Sequence, residues 1–222
     1  MHRFLALSCL SIFALSALPA DQYGFPDSYP EVYDNVDVMP LNRHGWYLHE
    51  KFKDIFAQKN IQVAVEVGTW LGNCAIYLAE MLPENGKIFC VDHWLGSAEH
   101  RDPHNYGEYA LLPTLFRQFL SNIILTKQTD KVIPVRTESL QAVEKFRELN
   151  IRPDLVYIDA SHDYNSVYND IRAWHSILNE DGILCGDDWN LGGVPRAVRD
   201  YAAYANLKVC FGGEFWWYEK AD

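Results

Sequence analysis

Basic residues are scarce in this chain: 19 Lys and Arg stand against 30 Asp and Glu, a formal net charge of -11 at pH 7. Such a surface is repelled by phosphate backbones and anionic headgroups, so nucleic acid and membrane surfaces are not expected partners. Small molecules are. Cysteine is sparse as well. The five present include no CxxC pair, and no HExxH occurs anywhere, which removes the common zinc-site readings. No internal repeat or low-complexity segment interrupts the 222 residues, of which 49% are hydrophobic and 22% charged, so one well-buried domain is expected.

The N-terminal apolar run from Phe4 to Leu18 is too short and too interrupted by serine to favour a membrane span. With His2 and Arg3 before it and Ala17-Leu18-Pro19-Ala20 after it, residues 1–20 have the layout of a secretory signal peptide, with cleavage expected after Ala20 and export as the consequence. An uncleaved anchor is one alternative; a start at Met39, which would leave a cytoplasmic chain holding every motif below, is another. Cys9 falls in the leader. Cys74, Cys90, Cys185 and Cys210 remain, mostly within apolar strand-like runs, and are expected as buried free thiols. Thiols suit a reducing compartment and the leader an oxidising one, so these two signals oppose each other.

Residues 21–45 are rich in Tyr, Pro and Asp without apolar periodicity and read as a linker or N-terminal arm, with the main domain at 46–222. A helical pattern around Trp46, Leu48, Phe52 and Ile55 closes the approach. Strands are expected at 61–67, 87–91, 131–135, 155–158 and 182–185, and helices at 74–82, 111–125, 140–149, 164–178 and 195–204. Runs at 207–211 and 214–218 around Gly212-Gly213 predict a closing hairpin. This alternation indicates βαβ units: an α/β, three-layer, doubly wound domain with a mainly parallel sheet and a C-terminal antiparallel hairpin.

Two strands end in carboxylates. Leu155 to Ile158 runs into Asp159-Ala-Ser-His162, and Gly182 to Cys185 into Gly186-Asp187-Asp188-Trp189, so a parallel sheet gathers Asp159, His162, Asp187 and Asp188 at its carboxyl edge. Oxygen ligands without cysteine suit a hard cation such as Mg²⁺, and adjacent carboxylates repel unless a cation or proton lies between them. Turn and capping roles are the alternative, as for Asp163 and Asp181 nearby. His162 has the intrinsic pKa of a general base, or caps the following helix. Tyr164 and Trp189 are expected to wall the site, and Phe215-Trp216-Trp217-Tyr218 to pack.

The first strand turns through Glu66-Val67-Gly68-Thr69-Trp70-Leu71-Gly72, where glycines permit close approach of a nucleotide-like ligand. Trp70 stands where a dinucleotide fold wants glycine, which disfavours NAD. Asp92, at the end of the second strand, is placed to hold a ribose or is a solvated turn residue, and Glu66, near the end of so apolar a strand, calls for a cationic partner. The polar stretch from His93 to Tyr106 is a candidate substrate lid or a surface loop.

Together, Glu66-x-Gly68-Thr69-x-x-Gly72, Asp92, Asp159-x-x-His162 and Gly186-Asp187-Asp188 resemble the class I S-adenosylmethionine-dependent methyltransferases. The match, over roughly residues 63–218, looks closest to the small O-methyltransferase branch that includes catechol O-methyltransferase-like, macrolide-sugar and cephalosporin-pathway proteins. The resemblance implies a Rossmann-like methyltransferase fold, S-adenosylmethionine as cofactor, a small hydroxylated acceptor and Mg²⁺ assistance. It implies that Glu66 meets the methionine amino group, that Gly68, Thr69 and Gly72 line the cofactor, and that Asp92 holds the ribose. Glu138 and Ser139, with Thr137, would fall near the adenine, unless Thr137 or Ser139 merely caps a helix. Asp159, a cofactor neighbour as well, would join Asp187 and Asp188 as metal ligands, with His162 as the base. An NAD-dependent oxidoreductase and an exported binding protein that keeps the fold without catalysis are the rival expectations.

Overall fold

The computed structural model describes residue 27, residues 29–44 and residues 49–221. The leader, its cleavage site, Trp46 and Leu48 lie outside the described residues. Seven strands form one sheet in the order β3-β2-β1-β4-β5-β7-β6. They are β1 (Val63–Val67), β2 (Lys87–Asp92), β3 (Val132–Arg136), β4 (Leu155–Ile158), β5 (Ile183–Gly186), β6 (Leu207–Gly212) and β7 (Phe215–Lys220). The first five are parallel; β7 inserts antiparallel between β5 and β6. β1 is buried along its whole length, as its valines and Ala64 suit a strand covered on both faces, and Glu66 is the one charged side chain buried with them.

The helices are α1 (Lys51–Gln58), α2 (Asn73–Met81), α3 (Tyr106–Tyr109), α4 (Leu115–Leu125), α5 (Ser139–Glu148), α6 (Tyr164–His175) and α7 (Val194–Ala205). The chain steps outward from β1 through β2 to β3, then returns to continue from β4. Right-handed crossovers therefore put α2 and α4 on one face of the sheet and α5, α6 and α7 on the other. The expected three-layer doubly wound fold is present. Sequence-based boundaries shift by a few residues, and the segment expected as one helix at 111–125 begins as a 3-10 turn over Leu112–Thr114, because Pro113 supplies no N–H to an α-helical ladder. The short α3 inside the polar stretch was not anticipated.

At the reversal between β1 and β4 the backbone is very tight. Gly68 has φ +91°, and a Cβ there would lie 1.8 Å from the Asp159 carbonyl oxygen, so glycine is demanded by the neighbouring strand end. Gly72, at φ +80°, would drive a Cβ to 2.8 Å from the Phe119 ring. Both glycines thus serve protein packing before any ligand is considered.

The arm is laid along α4. Tyr33 Oη donates to the Val132 carbonyl and Tyr29 Oη to that of Thr129, each at 2.9 Å. Gln118, Ser121 and Asn122 form an i, i+3, i+4 polar stripe that by periodicity belongs to solvent, yet all three are buried beneath the arm. Ser121 Oγ accepts from Met39 N–H, and Gln118 Nε2 donates to the Pro40 carbonyl. Asn122 uses its whole amide: Oδ1 accepts from Asn42 N–H and Gln118 Nε2, while Nδ2 donates to the carbonyls of Asn42 at 2.8 Å and Leu71 at 2.9 Å. One side chain thereby joins the arm to the glycine turn. Asn122→Ala should cost about 3 kcal/mol, because several buried backbone groups lose their partners together. A urea unfolding curve with a lowered midpoint and faster proteolysis of the arm is the expected result.

Candidate functional site

A cavity of about 840 Å³ opens at the carboxyl edge of the sheet, at the switch point between β1 and β4 where open α/β sheets bind ligands. Glu66, Gly68, Thr69, Asp92, Thr137, Glu138, Ser139, Asp159, His162, Asp187 and Asp188 all line it, from segments far apart in the chain. Gly72 lies behind the wall, against Phe119. Tyr164 and Trp189 do not line it either: Tyr164 donates to Asp200, and the Trp189 ring stacks on Phe211 with Arg199 over its face. The Tyr164 ring stacks on Tyr168 with Arg196 over its face, Phe215 packs against Phe52 and Tyr157, and Trp216 is fully buried.

At one end of the cavity three buried polar atoms, Glu66 Oε2, Thr69 Oγ1 and Asn73 Oδ1, make no well-formed hydrogen bond to protein, although the Thr69 and Cys74 side chains lie near enough to Glu66 to oppose its pKa rise. Burial, with repulsion from Asp159 next, pushes the Glu66 carboxyl well above the ordinary range. Asn73, whose amide nitrogen donates to the His44 carbonyl at 3.1 Å, was not singled out from the sequence. Its signal there was a polar residue directly after Gly72 at the start of an otherwise apolar helix.

Asp92 is busier than a free strand-end carboxylate. Its two oxygens accept from Trp70 N–H at 2.9 Å and Trp94 N–H at 2.7 Å, leaving one lone-pair direction on each for a ligand. Burial raises its pKa while these backbone donors oppose the shift. Both tryptophans sit at φ +52°, a conformation costing about 1–2 kcal/mol per residue, and the Asp92 bonds offset that strain. Trp94 Nε1 also donates to the Trp70 carbonyl, and the Trp70 ring stacks on His100 at 4.4 Å. The polar stretch after β2 therefore closes over the glycine turn.

On the α5 side, Thr137 Oγ1 donates to Gln141, and neither it nor Ser139 caps the helix. Ser139 Oγ donates to Asp170 at 2.6 Å and accepts from Trp174 Nε1 at 2.9 Å. Burial raises Asp170 to about 6, with the Ser139 bond opposing. Asp170 lines the cavity too. An acid within the apolar stripe of Val167, Ile171 and Trp174 was the sequence signal for it, and helical spacing alone did not separate it from a solvated neighbour.

The far end holds the carboxylate trio. Tyr157 Oη lies 3.1 Å from Asp187 Oδ2 and 3.4 Å from Asp159 Oδ2, so one hydroxyl faces both acids. Burial, then repulsion from Asp187 and Asp188, raises Asp159 to about 8. Burial also pushes Asp187 upward, but His49, 3.0 Å from its Oδ2, and the Asp188 N–H bring it below its ordinary value. No feature of the sequence flagged His49. Asp188, at φ +61°, turns its carboxylate to His162 Nε2 at 2.9 Å, while Glu99 meets His162 Nδ1 at 3.2 Å. The Asp188 bond, opposed by burial and aided by Glu99, raises His162 to about 9, so the imidazole is protonated at neutral pH in this arrangement. The helix cap goes to Asp163, which accepts from Asn165 and Ser166 N–H. Among the described residues no three His, Cys, Asp or Glu side chains are already gathered as metal ligands.

Asp159 supplies a pH test. Its folded pKa lies above its ordinary 3.8, so its contribution to stability is complete below about pH 4 and is lost as pH rises through about 8. Asp159→Asn should therefore stabilise the protein in chelator-treated buffer, with a gain in melting temperature that grows from about pH 4 to about pH 8. A destabilised variant at pH 8 would contradict the burial and repulsion that raise Asp159.

A family model described as methyltransferase domain matches residues 65–189. No curated protein matches the chain. Among solved structures, the O-methyltransferase from Bacillus cereus in complex with SAH is 16% identical, with 81% of this chain and 84% of that one covered at a TM-score of 0.56. The O-methyltransferase TomG from Streptomyces achromogenes, in complex with SAM, is 11% identical, with 79% and 82% covered at 0.57. The O-methyltransferase NovP is 13% identical, with 77% and 76% covered at 0.54. At such identities these likenesses speak for the fold. Among the described residues no helix is long and apolar enough to cross a membrane. The family match spans more than half the chain, from the first strand through the Asp187-Asp188 edge, and the chain belongs to the methyltransferase domain family.

Proposed function

We propose that this chain transfers the methyl group of S-adenosylmethionine to a hydroxyl of a small acceptor, assisted by a hard divalent cation such as Mg²⁺. The observation that carries the reading is the trio of buried, partnerless polar atoms, Glu66 Oε2, Thr69 Oγ1 and Asn73 Oδ1, facing one cavity at the switch point. A buried carboxylate oxygen left without a partner is costly, even with the Thr69 and Cys74 side chains close to the same carboxyl group, and an ammonium group is the complement that relieves it. Glu66 would hold the methionine amino group, with Thr69 and Asn73 beside it. Asp92 would accept from the ribose hydroxyls with its two remaining lone pairs, and Glu138, Ser139 and Asp170 would border the base. When bound, S-adenosylmethionine supplies an electrophilic methyl on a sulfonium.

Acceptor activation falls to the other end. Asp159, Asp187 and Asp188 offer only oxygen donors, and the burial and then mutual repulsion that raise Asp159 mark a missing positive charge there, so the donor set fits a hard cation. Such a cation would polarise an acceptor hydroxyl and weaken the field that keeps His162 protonated. His162 could then take the hydroxyl proton at Nε2 or Nδ1. Oxygen as the methyl acceptor is supported by the structural neighbours named as O-methyltransferases. Export through the leader-like residues 1–20 belongs to the same proposal.

Calorimetric titration with S-adenosylmethionine and with NAD, each with Mg²⁺ and then with chelator, tests it. S-adenosylmethionine should bind and NAD should not, since Trp70 occupies the turn that a dinucleotide would approach. Glu66→Gln should weaken S-adenosylmethionine roughly tenfold or more, the size of a charge-assisted hydrogen bond. Failure of S-adenosylmethionine to bind overturns the reading. Binding without any effect of Mg²⁺ or chelator on methyl transfer removes the cation from it.

A further inference from the structure

The charge of the cavity wall narrows the acceptor, an inference that rests on the methyl-transfer reading above. Nine of the side chains lining the cavity are Asp or Glu, and none of the described ones is Lys or Arg. Histidine supplies whatever positive charge the wall itself carries. The cavity is a binding site on separate grounds, because Glu66, 1% exposed, presents a partnerless oxygen there.

Part of this negative charge is engaged within the protein. Asp92 accepts two backbone N–H groups, Asp170 accepts from Ser139, and His49 and His162 meet Asp187 and Asp188. Glu66 faces the donor end. Asp159, Asp187 and Asp188 would be met by the cation proposed above, so what remains lies at the rim. Glu214, in the turn between β6 and β7, lines the cavity, and its carbonyl accepts from the N–H of Trp189, the residue after Asp188. Glu108 of α3 also lines it, but its carboxylate is met by His100 at 3.8 Å and by Asn105, and Glu99, outside the wall, is met by His162. Low-dielectric walls focus such a field, so a like-charged molecule entering would be repelled with no lysine or arginine to receive it.

We propose that the acceptor carries a protonated amine beside its hydroxyl, that phosphorylated and carboxylated acceptors are rejected by the wall, and that Glu214 is a specificity-determining residue. The full chain loaded with S-adenosylhomocysteine and Mg²⁺ is titrated calorimetrically with dopamine and with 3,4-dihydroxyphenylacetate, which share a catechol and differ in the charge of the arm. Dopamine should bind about tenfold tighter or more at low salt, a ratio that added salt should shrink. Glu214→Gln should reduce the ratio about threefold, the size of a partly exposed charge pair. Equal affinities, a preference for the acid, or a ratio moved by neither salt nor Glu214→Gln overturns the inference. Binding of neither catechol while S-adenosylhomocysteine binds also overturns it, and leaves the donor site standing. Failure of S-adenosylhomocysteine itself to bind overturns the methyl-transfer reading beneath.

Discussion

The contact between Gly68 and the Asp159 carbonyl sets the geometry of everything around it. β1 and β4 run side by side in register, from Ala64 against Leu155 to Val67 against Ile158, and diverge just past Gly68 because their following helices leave on opposite faces. The crevice opened by that divergence is the cavity. No side chain can occupy position 68 without separating the two strand ends, so the glycine that looks like a ligand-approach device is first a condition for closing the sheet at its switch point. From this point Glu66 and Thr69 face one end and Asp159 the other.

Electrostatics then runs against folding. Glu66 and Asp159 are both pushed upward by burial, and Asp159 further by the acids at the end of β5. Trp70, Trp94 and Asp188 each hold a left-handed backbone conformation at the same sheet edge. Unpaired charge and backbone strain concentrated where ligands bind are the common signature of a site whose stability has been given up for function. The strain is held by specific bonds: the Asp92 carboxylate on the two tryptophan N–H groups, and the Asp187 carboxylate on the N–H of Asp188. Asp92 therefore has a structural task in addition to the ribose role that its position suggests.

The arm extends the same logic outward. Its buried tyrosines cover the β3 edge, and its backbone supplies the partners without which Gln118, Ser121 and Asn122 would be polar groups stranded under an apolar layer. Because Asn122 also grips the Leu71 carbonyl, the position of the glycine turn depends on residues more than fifty positions away on one side and near thirty on the other. His44 and His49, flanking the end of that arm, reach opposite ends of the cavity.

The sequence by itself determined the order of strands and helices, the doubly wound class, and most of the cavity wall. Period-2 and period-3.6 patterns report burial locally, and a carboxylate after an apolar strand in a parallel sheet has only one edge to occupy. Tertiary structure alone decided what those groups face. Asp163 rather than His162 caps α6, His162 is clasped between Asp188 and Glu99, and Trp189 turns to Phe211 instead of the cavity. Asn73, Asp170 and His49 joined the site unannounced, and the stripe of Gln118, Ser121 and Asn122 went inside. Periodicity reports which side of an element is covered; it carries no record of whether the cover is apolar core, another segment's backbone or a ligand's cavity, because that depends on contacts between residues distant in the chain.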